Sequence, residues 1–229
     1  MSFPPLGPSD FTADLWGALQ TSTSERGRGL RALCGSAYSL PLLAPSACER
    51  WLAEIAHARA RSPSSDPPNS MHDHGVDLVP LGFGPRIDGL LTRLQPLLAR
   101  LYPQFDGARL DSHHSYLVEY GRELDESLAW HADDSEVTLN LCLGEEFSGA
   151  ELTFLGLRCR EHMQTRPTAD EVRSFEHEPG TLILHAGLHR HRVEPILSGT
   201  RRNLIVWARS THLRRGTPPP AASYCPLHG

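Results

Sequence analysis

His131 and Asp133 stand one residue apart in "AWHADDSEV", just ahead of the alternating run "EVTLNLCL". In an extended chain, side chains at i and i+2 point to the same side, so an imidazole and a carboxylate at this spacing can converge on one atom. Such a pair is two ligands awaiting a third. Further along, "HAGLHRHRV" offers His185, His189 and His191 for that role, and strand parity alone does not choose among them. Two imidazoles and one carboxylate on one face of an octahedron suit Fe(II) and leave positions open for a chelating cosubstrate and dioxygen.

The elements that must hold these residues are readable from periodicity. In "EVTLNLCL", Val137, Leu139, Leu141 and Leu143 are aliphatic, whereas Thr138, Asn140 and Cys142 are small and polar. One face of this strand therefore meets a core and the other lines a wet or functional space. "SYLVEY", "AELTFLG", "GTLILHAG" and "NLIVWARS" share the strand pattern and are separated by Gly, Asp, Pro and Ser, which predicts a mainly antiparallel barrel or sandwich.

Ahead of the strands the period is helical. "SACERWLAEIAHARAR" places Cys48, Trp51, Leu52 and Ile55 on one face, with Ser46 and Glu49 in capping-box spacing. "RIDGLLTRLQPLLARLYPQF" puts Ile87, Leu90, Leu91, Leu94, Leu97, Leu98 and Leu101 on a second face, with Pro96 expected to kink or divide the helix. The first forty residues read as a partly ordered lead-in and "SPSSDPPNS" (62–70) as a loop. "RCREHMQTRPTADEVRSFEHEP" reads as a charged, irregular and mobile flap. The expected organisation is one domain over 1–229: a mainly helical support region (1–110), a catalytic core (111–210) and a Pro-rich tail (211–229).

Composition narrows the chemistry. All 22 basic residues are arginine, which removes lysine Schiff-base and P-loop mechanisms and makes any fixed anion anchor an Arg. A net charge of -5 gives no electrostatic footprint for nucleic acid, and no apolar run is long enough to span a bilayer. Five scattered cysteines argue against a disulfide framework, and the N-terminus lacks the pattern of a secretory signal. A cytoplasmic or other reducing soluble compartment is the expectation.

Two stretches carry a resemblance. "YGRELDESLAWHADDSEVTLNLCLGEEFSGAELTF", with its His-x-Asp, and "EPGTLILHAGLHRHRVEPILSGTRRNLIVW", with the run H-x-V-x-P-x-x-x-G-x-R, resemble the 2-oxoglutarate- and Fe(II)-dependent dioxygenases of the prolyl 4-hydroxylase-like family. The resemblance implies an α+β chain whose N-terminal helices back a double-stranded β-helix (a jelly-roll, cupin-like core). It selects His191 to join His131 and Asp133 as metal and catalytic residues. It makes Arg201 the anchor for the remote carboxylate of 2-oxoglutarate, through a bidentate pair. Tyr120 and Trp207 would line the cosubstrate pocket, with Thr138 and Asn140 on the adjacent strand. Cys142 stands where many relatives have a second cosubstrate-binding tyrosine.

The implied activity couples decarboxylation of 2-oxoglutarate, to succinate and carbon dioxide, with hydroxylation of a C–H bond. The expected substrate is a protein or peptide side chain, as for prolyl or lysyl hydroxylases, with ascorbate as a candidate reductant. Because Asp133 is present, hydroxylation is favoured over the halogenation performed by relatives that lack the carboxylate. The alternatives are a small-molecule or nucleobase oxygenase on the same centre, and a non-catalytic metal-binding sensor.

Plainer roles stay beside these. Arg201 could be a strand-end arginine in a surface ion pair, and Tyr120 and Trp207 could be ordinary core aromatics. His72, His74, His113 and His114 read as loop and strand-edge histidines. "CREH" and "CPLH" place Cys159 with His162, and Cys225 with His228, at C-x-x-H spacing. Together they could close a structural zinc site pinning the tail to the flap. The pairs are short and lack a knuckle glycine, and coincidence among thirteen histidines is the preferred reading.

Overall fold

Two long helices and thirteen strands stand out among the residues that the computed structural model describes, 3–15, 29–62, 67–144, 146–216 and 218–228. Helix α1 (Pro45–Arg61) begins two residues earlier than the capping-box spacing predicts: Ala44, not Ser46, is the N-cap and makes no side-chain cap bond, and Pro45 occupies the first turn. Proline has a φ preset for the helix and no N–H to satisfy, so it starts the helix without Ser46. Helix α2 (Gly84–Leu101) runs through Pro96 undivided. The loop expected at 62–70 lies partly outside the described residues.

The strands are β1 (Arg31–Cys34), β2 (Ala37–Pro41), β3 (Gly75–Asp77), β4 (Ser112–Tyr120), β5 (Leu128–His131), β6 (Val137–Gly144), β7 (Phe147–Gly149), β8 (Leu152–Leu157), β9 (Val172–Phe175), β10 (Thr181–Ala186), β11 (His189–Val193), β12 (Ile196–Gly199) and β13 (Arg201–Arg209). A seven-stranded sheet has the order β1-β2-β10-β6-β13-β4-β3, and a four-stranded sheet the order β5-β11-β8-β9. β7 and β12 form a separate pair. Every named pairing is antiparallel.

Two cores follow from the period-2 alternation. Val137, Leu139, Leu141, Leu143, Leu182, Leu184, Leu204 and Val206 face outward from the large sheet and meet Trp51, Ile55, Leu90 and Leu94 of α1 and α2. Each such side chain, fully buried, contributes about 1.5–3 kcal/mol relative to exposure. The opposite face presents Tyr116, Val118, Tyr120, Ile183, Ile205 and Trp207 to Leu152, Phe154 and Val193 of the small sheet. The helices thus back a two-sheet sandwich whose interior holds the candidate site.

Two expectations are corrected. The lead-in contains β1 and β2, and β2 is an inner strand of the large sheet, with Leu40 fully buried opposite Leu182. Its burial comes from pairing with β10, far away in sequence, so the local Gly/Ser-rich text does not announce it. The segment after β8, expected as a mobile flap, is tied down. Arg158 is fully buried and makes a two-pronged pair with Glu171 (2.5 and 2.7 Å), and β9 pairs with β8. Arg190 donates to the Met163, Thr165 and Leu155 carbonyls from beneath it. Among the described residues no helix is long and apolar enough to cross a membrane.

A candidate metal and anion site inside the sandwich

β5 and β11 pair with His131 directly opposite His191, so both imidazoles rise from the same face, with ring centroids 4.2 Å apart. Asp133 follows two residues after the end of β5. Its backbone N–H donates to the Gly187 carbonyl (2.9 Å), which fixes the carboxylate beneath the two rings. Gly187 must lack a side chain, since a Cβ there would lie 2.0 Å from the Ser135 carbonyl oxygen. The ligand atoms of His131, Asp133 and His191 lie within 4.8 Å of one another. His131 Nε2 is 3.4 Å from Asp133 Oδ1, and His191 Nε2 is 3.8 Å from Oδ2.

The neighbouring atoms orient these groups for a cation. Nδ1 of His131 faces the Ala129 carbonyl at 2.8 Å, and Nδ1 of His191 faces the His189 carbonyl at 2.9 Å. A proton on each Nδ1 leaves each Nε2 lone pair directed at the shared space. Thr138 donates to Asp133 Oδ2 at 2.6 Å. Burial works to raise the Asp133 carboxyl, but the surrounding imidazoles, His191 first, outweigh it and hold the group ionised well below its ordinary value. Burial, reinforced by the neighbouring His131, holds His191 well below the usual histidine range against the opposing pull of the Asp133 carboxylate.

Of the three histidines left open as distal ligand, His185 and His191 both face Asp133. His189 turns away toward Ser36 Oγ (3.1 Å). His185 is fully buried, with Nε2 3.7 Å from Asp133 Oδ2 and no hydrogen-bond partner, yet it stands outside the trio. His191 is the one grouped with His131 and Asp133.

A narrow cavity adjoins the trio, lined by Tyr120, Thr138, Asn140, Tyr116, Ile205 and, unexpectedly, His72. His72 Nδ1 faces Asn69 Oδ1 at 3.0 Å, and its Nε2 accepts from the Tyr120 hydroxyl at 3.1 Å. Burial pushes the His72 imidazole down to about 4, so it is neutral and aligns that hydroxyl. His72 lies in the "MHDHG" loop and outside the ligand trio, as the sequence suggests, and the fold brings that loop to the cavity wall. Only tertiary folding brings that loop onto β4, and no ligand spacing marks it.

Behind the cavity lies Arg201, paired in register with Tyr120 and wholly buried, not a strand-end residue at the surface. Its Nε donates to Asn203 Oδ1 (3.0 Å), Nη2 to His177 Nδ1 (2.9 Å) and Nη1 to the Ala150 carbonyl. Its guanidinium stands 5.6 Å from the Tyr120 ring centroid and beside the Cys142 thiol. Among the described residues no carboxylate forms an ion pair with it. His177 Nε2 donates to the Thr181 carbonyl (2.8 Å), and burial together with Arg201 drives its imidazole down to about 3, so Nδ1 is a pure acceptor. Asn203 also donates to Asn140 Oδ1, linking the arginine to the cavity wall. His177 carries no motif spacing, and sequence reasoning passed over it. Trp207 stands one layer from the cavity, edge-on to Tyr116 at 5.4 Å, as a core aromatic would.

A buried cation whose hydrogen-bond partners among the described residues are all neutral is costly, and an anion entering the cavity would compensate it. Beside it lies a trio suited to a divalent metal.

Comparison with known proteins agrees. No family model matches the chain. It is 43% identical over 183 residues to the 2-oxoglutarate and iron-dependent oxygenase domain-containing protein ICU11 of Arabidopsis thaliana, covering 77% of this chain and 46% of that protein. It is 36% identical over 219 residues to the human 2-oxoglutarate and iron-dependent oxygenase domain-containing protein 2, covering 94% of this chain and 57% of that one. The chain thus spans about half the length of the curated relatives it matches. In fold it is similar to a Pseudomonas putida prolyl-4-hydroxylase, with a TM-score of 0.52 at 16% identity over 78% of this chain and 89% of that one.

Proposed function

Because the chain belongs to the 2-oxoglutarate- and iron-dependent oxygenase domain family, we propose that residues 1–229 form one Fe(II) dioxygenase domain, with His131, Asp133 and His191 as iron ligands and Arg201 as the cosubstrate anchor. The observation that carries this reading is the pairing of two features in one interior: the His-Asp-His trio, and a fully buried guanidinium with no ion-paired carboxylate among the described residues. When bound, iron would bring dioxygen together with 2-oxoglutarate, whose oxidation to succinate and carbon dioxide takes up one oxygen atom and leaves the other for insertion into a C–H bond.

The protein's part is to bind, orient and exclude water. Thr138 restrains the Asp133 carboxylate, while the Ala129 and His189 carbonyls hold the two imidazoles in the tautomer that presents Nε2. Arg201 would exchange neutral acceptors for the remote carboxylate of the cosubstrate. Tyr120, aligned by His72, would supply a hydroxyl along its length. Tyr116, Leu152, Val193 and Ile205 keep the cavity dry. Asn140 reaches Arg201 through Asn203, and the Cys142 thiol sits beside the guanidinium.

For the substrate we favour a protein or peptide side chain. The likeness in fold to a prolyl-4-hydroxylase supports this, as does an open groove between the 133–136 loop and the Pro218–Ala221 segment that reaches Asp133. Five free cysteines support a reducing compartment.

The deciding experiment is succinate release from 2-oxoglutarate by the Fe(II)-loaded protein in air. We expect His131→Ala and His191→Ala to abolish it. Arg201→Ala should raise the KM for 2-oxoglutarate on the order of a hundredfold, with rate recovered at high cosubstrate, since breaking a buried charged pair costs about 2–5 kcal/mol. Tight binding of iron and 2-oxoglutarate without succinate, even with peptide, nucleobase and small-molecule substrates added, would favour the sensor. A mass gain of one oxygen on a nucleobase or metabolite, and not on any peptide, would favour the small-molecule reading.

A further inference from the structure

The two C-x-x-H pairs, far apart in sequence, meet in space. Cys159 and His162 flank a single 3-10 turn closed by the His162 N–H to Cys159 carbonyl bond (3.1 Å). Cys225 and His228 flank a second turn closed in the same way, His228 N–H to Cys225 carbonyl (3.1 Å). Residues i and i+3 of such a turn eclipse, so each turn presents one sulfur and one imidazole on the same side. The turns face each other. Cys159 Sγ lies 3.2 Å from His162 Nδ1 and 3.8 Å from His228 Nδ1, and Cys225 Sγ lies 3.5 Å from His162 Nδ1.

We propose that Cys159, His162, Cys225 and His228 form a second metal site, taking one zinc ion that staples the C-terminal tail to the turn after β8. Cys159, His162 and Cys225 have ligand atoms within 4.8 Å of one another and His228 stands beside Cys159, which together give the donor set of a closed structural site, two thiolates and two imidazoles. Zinc bonds of about 2.3 Å to sulfur and 2.0–2.1 Å to nitrogen, in a tetrahedron, separate neighbouring sulfur and nitrogen atoms by about 3.5 Å, and the three contacts bracket that value. Hydrogen bonding alone explains the cluster poorly. A single His162 Nδ1, carrying one proton or one lone pair, cannot serve two sulfurs equally, whereas a cation between them serves all the donors.

Hydrogen-bond donors and cations surround the two sulfurs. Cys159 and Cys225 are both buried, and the backbone amides of Cys159 and Leu227 point at the Cys225 sulfur. The buried guanidinium of Arg158 acts on both sulfurs, and that of Arg190 on Cys225. Glu161, exposed and 3.9 Å from His228 Nδ1, is the one carboxylate beside the cluster among the described residues. The staple would fix Tyr224 and Pro218–Ala221, which form one wall of the groove leading to Asp133.

The test uses the full chain with the first site disabled, His131→Ala/His191→Ala, so that metal counted belongs to the second. We expect about one zinc per chain after dialysis, and on replacement by Co(II) the near-ultraviolet thiolate charge-transfer band of a sulfur-ligated ion. Both should be lost when Cys225→Ser is added. Should that variant fail to fold, titration of the parent thiols with a mercurial must release zinc in step with thiol capture. Zinc absent from the parent, zinc content indifferent to Cys225→Ser or to thiol capture, or a Cys159–Cys225 disulfide in protein prepared under reducing conditions would each overturn the proposal.

Discussion

Thr138 shows how much of this site depends on groups that are not ligands. Its hydroxyl lies 2.7 Å from that of Ser135 and donates to Asp133 Oδ2 at 2.6 Å, fixing which carboxylate lone pair faces the imidazoles. Thr138→Val keeps the shape and removes the donor. Loss of an outer partner typically weakens a metal site 10–100-fold, so we expect Fe(II) affinity, followed by titration under anaerobic conditions, to fall by about that factor while the fold stays intact. An unchanged affinity would mean that the main-chain bond from Asp133 to Gly187 suffices. At this scale the sequence was most informative about residues that meet within one strand pairing or one short motif: His131 and Asp133 by i, i+2 parity, and Thr138 and Asn140 by sharing a face. His72 and His177 were invisible because each reaches the site from a loop whose route depends on the rest of the fold.

At the scale of elements, the segment between β8 and β10 is held by an internal ion pair. The hydrogen bonds from Arg158 hold the Glu171 carboxyl down to about 2, against burial that would raise it. A carboxyl with a lowered folded-state value adds stability that is fully present above its unfolded value, about 4.3, and is lost as pH falls toward 2. Denaturant unfolding of Glu171→Gln should therefore show stability lower by on the order of 2 kcal/mol at pH 7, with the gap to wild type closing only near and below about pH 2. A gap that stays constant with pH would assign the effect to packing instead. The charged text of this segment suggested mobility because sequence gives charge but not pairing. Arg158 and Glu171 are thirteen residues apart and meet only because β9 folds back on β8.

For the whole molecule, the large sheet divides the interior into a dry core against the helices and a second core that encloses the site. β2 completes this division from the N-terminal side. Leu40→Ala should cost about 2–5 kcal/mol, measured by denaturant unfolding, and leave Fe(II) affinity unchanged, because Leu40 belongs to the helix-side core. A loss of iron binding in a folded variant would show that the two cores are coupled. The sequence by itself determined the helix-then-sheet order, the polar and apolar faces of β6 and the ligand motif, since each rests on local period or short spacing. It also placed Arg201 ten residues beyond His191, through the run between them. Only the tertiary structure decided that His191 and not His189 stands with Asp133, that Arg201 is buried without an ion-paired carboxylate among the described residues, that β2 lies inside the sheet, and that two distant Cys/His turns meet. Each of these depends on which strands and loops become neighbours, and long-range pairing is set by the burial of the whole chain rather than by any one stretch of it.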